Sequence, residues 1–170
     1  KHFLAYSEPS SDEDSIAIPI KDILEIYRTD LSPISTQDRD WSKEKDLYRD
    51  WFVLGCFCGL RITDLLSLDN SKNIITLRGA KWIKKKTGKT GKEVFIKFSP
   101  IINSIIQKYD GFPPKVTGQK LNKHIKTIFK YADFDYHDKV KTHCMRRSFC
   151  TNAYLESENP NVEKIMQISG

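Results

Sequence analysis

Nowhere in this 170-residue chain do eighteen apolar residues run together, which excludes a membrane-spanning helix. A signal-peptide h-region is missing too: the chain opens Lys1-His2-Phe3-Leu4-Ala5-Tyr6, with neither an initiator Met nor a 7–15-residue apolar core. That opening reads as a cut inside a longer protein. Cysteine is sparse. Cys56, Cys58, Cys144 and Cys150 sit in apolar or helical-looking stretches and form no Cys-x-x-Cys pair, which argues against a secreted disulfide framework and for a reducing cytosol. The Gly-x-x-x-x-Gly-Lys-Ser/Thr order of a nucleotide-binding P-loop is absent, since Lys86-Thr87-Gly88-Lys89-Thr90-Gly91-Lys92 leads into a strand-like run. No internal repeat is visible. Acidic residues all but vanish over residues 72–100, which hold 9 basic side chains and 1 acidic one.

That local scarcity matters more than the overall charge of +6. Residues 1–50 carry 7 basic and 12 acidic side chains, whereas residues 101–147 carry 10 and 4. An acidic opening therefore precedes a strongly basic middle, a field that attracts polyanions and nucleic acid above all. A solvated basic surface accounts for the charge equally well.

Periodicity predicts a mainly α, α+β architecture with one small sheet. Residues 1–18, rich in Ser, Asp, Glu and Pro, read as an exposed interdomain linker, and residues 19–170 as one domain. Helices are expected over 19–31, 42–58 (with Gly59 at its C′ position) and 62–68. Others begin at the Ser99-Pro100 cap, at Thr117, at Thr142 and at Pro160. Three antiparallel strands are expected near 74–77, 81–86 and 93–98.

Three clusters carry chemistry. In Gly59-Leu60-Arg61-Ile62-Thr63-Asp64-Leu65, an Arg lies at an apolar helix junction. A guanidinium buried there needs anionic partners, and Asp64 is within reach to fix its fork. Taken alone, this cluster is more often a purely structural ion pair. The second is the lysine-rich turn from Lys84 to Lys92, where a mobile hairpin tip can swing a Lys towards a phosphate; short Lys runs are also ordinary solvated turns. In the third, Thr142-His143-Cys144-Met145-Arg146-Arg147-Ser148-Phe149, His143 and Arg146 stand three apart and share a helix face. They pair a titratable imidazole with a permanent bidentate cation, although a His and an Arg on one helix are more often ordinary surface residues. The Cys and His residues do not show zinc-ligand spacing. His2, His124 and His137 read as surface residues, and Trp41, Trp51 and Trp82 as packing residues, with Trp82 alternatively facing a bound nucleic acid at the sheet edge.

Taken together, the clusters resemble the catalytic domain of tyrosine recombinases, the phage-integrase type. The matching pieces are Gly59-Leu60-Arg61 with Asp64-Leu65, the Lys89-Thr90-Gly91-Lys92 hairpin, and His143-x-x-Arg146 followed by Arg147-Ser148-Phe149. Ile168-Ser169-Gly170 looks like the start of the family's Gly-His motif, and the style of the motifs is similar to mobile-element integrases of Bacteroidetes. The resemblance implies that Arg61 and Arg146 clamp the non-bridging oxygens of a scissile DNA phosphate. Lys89 would be the general acid, with Lys86, before an identical Thr-Gly-Lys, as its rival. His143 would hold a phosphate oxygen or help to accept the nucleophile's proton. Asp64 would orient Arg61, and Lys84, Lys85, Lys86, Lys92 and Arg147 would contact the DNA. A Tyr hydroxyl would attack to give a 3′-phosphotyrosyl link, needing no metal and no other cofactor. None of the seven Tyr residues takes the nucleophile's place after Gly170, so the chain as given is expected to be inactive alone. The implied partners are double-stranded recombination sites and, in the synaptic complex, three further copies, with this piece monomeric. The implied location is the bacterial cytoplasm, at the nucleoid. The rival readings are a DNA-binding module of recombinase ancestry without chemistry and a general basic nucleic-acid-binding domain.

Overall fold

The computed structural model describes residues 16–34 and 42–156, together with Asn161 and Ile165. Seven helices and three strands follow in order among them: α1 (Ile20–Arg28), α2 (Ser42–Cys58), α3 (Ile62–Leu66), α4 (Asn70–Asn73), β1 (Ile74–Leu77), β2 (Ala80–Lys86), β3 (Glu93–Lys97), α5 (Pro100–Tyr109), α6 (Gly118–Tyr131) and α7 (Thr142–Leu155). Short 3-10 turns cover Ser32–Ile34 and His137–Lys139. Of the expected helix from Pro160 only Asn161 and Ile165 are described, the Ile165 N–H donating to the Asn161 carbonyl at 3.1 Å; Trp41, His2, residues 1–15 and 35–40 of the acidic opening and Ile168-Ser169-Gly170 lie outside the described residues.

The second half of α2 is apolar all round, and that decides its place: Trp51, Phe52, Val53 and Leu54 are completely buried. The helix packs against α1, α5, α6 and α7. Its more polar first half brings charges to the same core, and these are satisfied there. The buried Asp50 carboxylate accepts from Lys108 Nζ at 2.7 Å, Tyr109 OH at 2.9 Å and Arg49 Nε at 3.2 Å. A carboxylate removed from water needs such partners, and here they fasten α5 to α2. The expected caps of α5 and α6 are present: Ser99 accepts from the Ile102 N–H and Thr117 from the Lys120 N–H.

One histidine reading changes. His124 is not a surface residue. It lies on the apolar face of α6 between Leu121, Ile125 and Ile128, stacks on Tyr48 with ring centroids 4.1 Å apart, and its Nδ1 accepts from Lys45 Nζ at 2.7 Å. Trp82 is half-buried on the outer face of the sheet beside Phe95 and Lys97, and its indole N–H has no partner among the described residues.

The sheet is antiparallel in the order β1-β2-β3, with Ile75 opposite Trp82 and Lys84 opposite Phe95. Alternation sends Ile83, Val94 and Ile96 into the core. It leaves Phe95 exposed on the other side, with Lys84 Nζ above its ring. Residues 16–18, placed in the linker by composition, are part of the packed body: Ile18 is fully buried.

Candidate active site

The end of α2 sets the site's floor. Gly59 follows Cys58 with φ +65°, the left-handed conformation that glycine adopts without a Cβ penalty. A Cβ there would overlap the Phe149 ring of α7, so the position excludes a side chain on two counts. One turn earlier, a Cβ on Gly55 would overlap Met145. These two glycines let α7 approach α2 closely, and Arg146 Nη1 lies 3.5 Å from the Gly59 carbonyl. Arg61, two residues past Gly59, is the N-cap residue of α3 and is half-buried.

Leu60, Arg61, Ile62, Thr63, Thr142, His143 and Arg146 line one cleft of about 500 Å³. The helix junction and the start of α7, 81 residues apart in sequence from Arg61 to Thr142, therefore meet at one place. Burial pushes the Arg146 guanidinium below its ordinary pKa, and the like charge of Arg61 pushes the same way, with Cys150 and Asp64 opposing. The cleft therefore brings two guanidinium groups and an exposed imidazole together. Two guanidinium forks side by side suit bidentate contact with an oxyanion.

Thr142 does not cap α7, as its residue type suggested. It is the first helical residue, and the N-cap position is Lys141, whose side chain has no oxygen to offer. The cap comes from another helix: Asn122 Oδ1 of α6 accepts the Thr142 N–H at 2.6 Å. Asn122 was missed because its partner is 20 residues away; an Asn beside the apolar stripe of α6 was the only local sign.

Asp64 reaches a partner in the hairpin. It is buried on α3, and Oδ1 accepts the Gly88 N–H at 2.9 Å. The turn itself is organised by Thr87, whose N–H donates to the Lys92 carbonyl at 2.9 Å and whose hydroxyl meets that of Thr90 at 2.7 Å. Lys89 is exposed on this turn, next to the anchored Gly88, and is not part of the cleft lining. Lys86 and Lys92 are exposed too, whereas Lys85 Nζ is held by the Ser67 hydroxyl at 2.7 Å and Lys84 Nζ lies 3.0 Å from Glu93. Arg147 is exposed on α7, the residue after Arg146. Thus the structure gathers Arg61, His143 and Arg146, ties the Lys89 turn to α3, and spreads the other lysines along the strands. Among the described residues, no group of three His, Cys, Asp or Glu side chains converges as metal ligands do.

No protein-family model and no curated protein sequence matches this chain. Solved structures do. The XerH site-specific recombinase bound to its difH substrate in a pre-cleavage complex superposes with a TM-score of 0.63 at 16% identity, over 89% of this chain and 46% of that one. The post-cleavage complex of XerH with a palindromic difH substrate gives 0.56 at 17% identity, over 84% and 43%. The chain spans about half the length of these proteins. At this identity the likeness establishes the fold: helical, with a small three-stranded antiparallel sheet, as in tyrosine-recombinase catalytic domains.

Proposed function

We propose that this chain carries the phosphate site of a site-specific DNA recombinase of the tyrosine type. The observation that carries the reading is the convergence of Arg61, His143 and Arg146 on one cleft. Two guanidinium forks on one phosphodiester offset the negative charge that builds on its non-bridging oxygens as a fifth ligand arrives. His143 holds one of those oxygens or takes the proton of the attacking hydroxyl. Lys89, presented on a turn that Asp64 fastens to α3, donates its proton to the departing 5′-oxygen. The balance is simple. A Tyr oxygen bonds to phosphorus, the bond from phosphorus to the 5′-oxygen breaks, and that oxygen leaves as a hydroxyl. Bond energy is kept in the 3′-phosphotyrosyl link.

Among the described residues no Tyr lines the cleft, so in this reading the nucleophile enters from elsewhere in the protein. Lys84, Lys85, Lys86, Lys92 and Arg147 supply backbone contacts to duplex DNA, which makes affinity steeply salt-dependent. The biological setting that fits is integration or excision of a mobile element by a tetramer on two duplexes.

The test uses the complete protein carrying this chain. Arg61→Ala or Arg146→Ala is expected to cost cleavage about 3 kcal/mol, roughly a hundredfold in rate, while DNA affinity stays within a few-fold. Parallel losses of binding and cleavage would leave a DNA-binding module without a clamp.

A further inference from the structure

The helix that brings His143 and Arg146 to the cleft is gripped from behind by the chain's own entry segment. Ile18 lies immediately before Pro19, a position that favours extended backbone. In extended backbone the N–H and C=O of one residue point to the same side. Both point at α7. The Ile18 N–H donates to Ser148 Oγ at 2.8 Å, and the Ile18 carbonyl accepts from Asn152 Nδ2 at 3.0 Å. Ser148 and Asn152 are four apart, on one face of the helix. Ser148 is completely buried, and its hydroxyl also donates to the Cys144 carbonyl at 2.6 Å. At 100° per residue, Ser148 stands about 200° round the helix from Arg146. The grip and the cleft are therefore on opposite sides of α7.

We infer that Ser148 and Asn152 are positioning residues that make α7 the receiver of the upstream segment: a shift of residue 18 moves the helix, and with it Arg146 and His143. The inference rests on the reading of the cleft as a phosphate site. It assigns a role to Ser148, which follows the Arg146-Arg147 pair, and to the end of a stretch that composition alone marks as linker. Nothing else in the contact requires a paired clamp. Burial of Ile18 would hold the segment against the core by itself, whereas two directional bonds from one helix face fix its height along α7.

The experiment uses residues 1–170 with inorganic phosphate as the probe. Amide exchange at Ile18, phosphate affinity and the His143 ring resonances are followed in Ser148→Ala, Asn152→Ala and Ser148→Thr. Asn152→Ala leaves the buried hydroxyl in place and remains informative if Ser148→Ala fails to fold. In the alanine variants Ile18 exchange is expected to rise about tenfold or more, as expected for a local opening. Phosphate affinity should fall several-fold and the His143 resonances should move, while Ser148→Thr restores all three. Faster exchange at Ile18 with unchanged phosphate affinity and unchanged His143 resonances would overturn the inference. If the unaltered chain binds no phosphate, the reading of the cleft fails, and the coupling is then decided by whether the His143 resonances move.

Discussion

Asp64 Oδ1 accepts the backbone N–H of Gly88 at 2.9 Å, so a carboxylate on α3 holds the turn that presents Lys89. Arg61 stands one turn before Asp64 on the same segment. One short helix therefore fixes both a wall of the cleft and the base of the lysine turn. Asp64→Ala leaves the Gly88 N–H without this acceptor and is expected to cost about 1–3 kcal/mol of stability, with faster amide exchange over 87–91. Asp64→Asn keeps an acceptor oxygen and should behave close to the unaltered protein. Chemical denaturation of the three proteins measures this; equal losses for Ala and Asn would show that charge, not the hydrogen bond, matters at this position.

Gly59 has a left-handed φ and no room for a Cβ against Phe149. Gly59→Ala is expected to destabilise by more than the roughly 1 kcal/mol of the left-handed penalty alone, because α7 must also move. The double variant Gly59→Ala/Phe149→Leu should show coupling between the two sites, measured as a departure from additivity in denaturation. Strict additivity would contradict the close approach.

His124 makes stability depend on pH. Burial and the charge of Lys45 push its imidazole below the ordinary pKa, Lys123 and Lys120 act in the same direction, and Glu44 opposes them. The unfolded chain then takes up the proton first, near the ordinary value of about 6.5. Stability from this group is complete above that pH and is lost as pH falls below it, down to the lower folded-state pKa. The melting temperature should drop from pH 7.5 to 5.5, and by less in His124→Asn, which keeps an acceptor towards Lys45 but does not titrate. Identical pH slopes in the two proteins would rule the histidine out as the source.

Much of this molecule was legible before its structure. The span of α2 and the three strands follow from apolar spacing and from the glycines that end or turn them, because those signals are local. The convergence of Arg61 with His143 and Arg146 was legible only through the resemblance, since no local rule joins residues so far apart. What escaped was long-range. Asn122 caps a helix to which it does not belong, Asp64 finds its acceptor role 24 residues on, and Ser148 and Asn152 hold a residue at the other end of the chain. His124 is different. Its place between Leu121, Ile125 and Ile128 put it on the buried face of α6 from spacing alone, and treating the polar residue type as a sign of exposure was the error.

The central claim is that Arg61, His143 and Arg146 form one anion clamp. The most direct measurement is a phosphate titration of residues 1–170, followed by NMR at the arginine side chains and the His143 ring. The account predicts saturable shifts at all three residues with a single affinity, abolished at all three by either Arg61→Ala or Arg146→Ala. Shifts spread along Lys84–Lys92, indifferent to both substitutions, would contradict it.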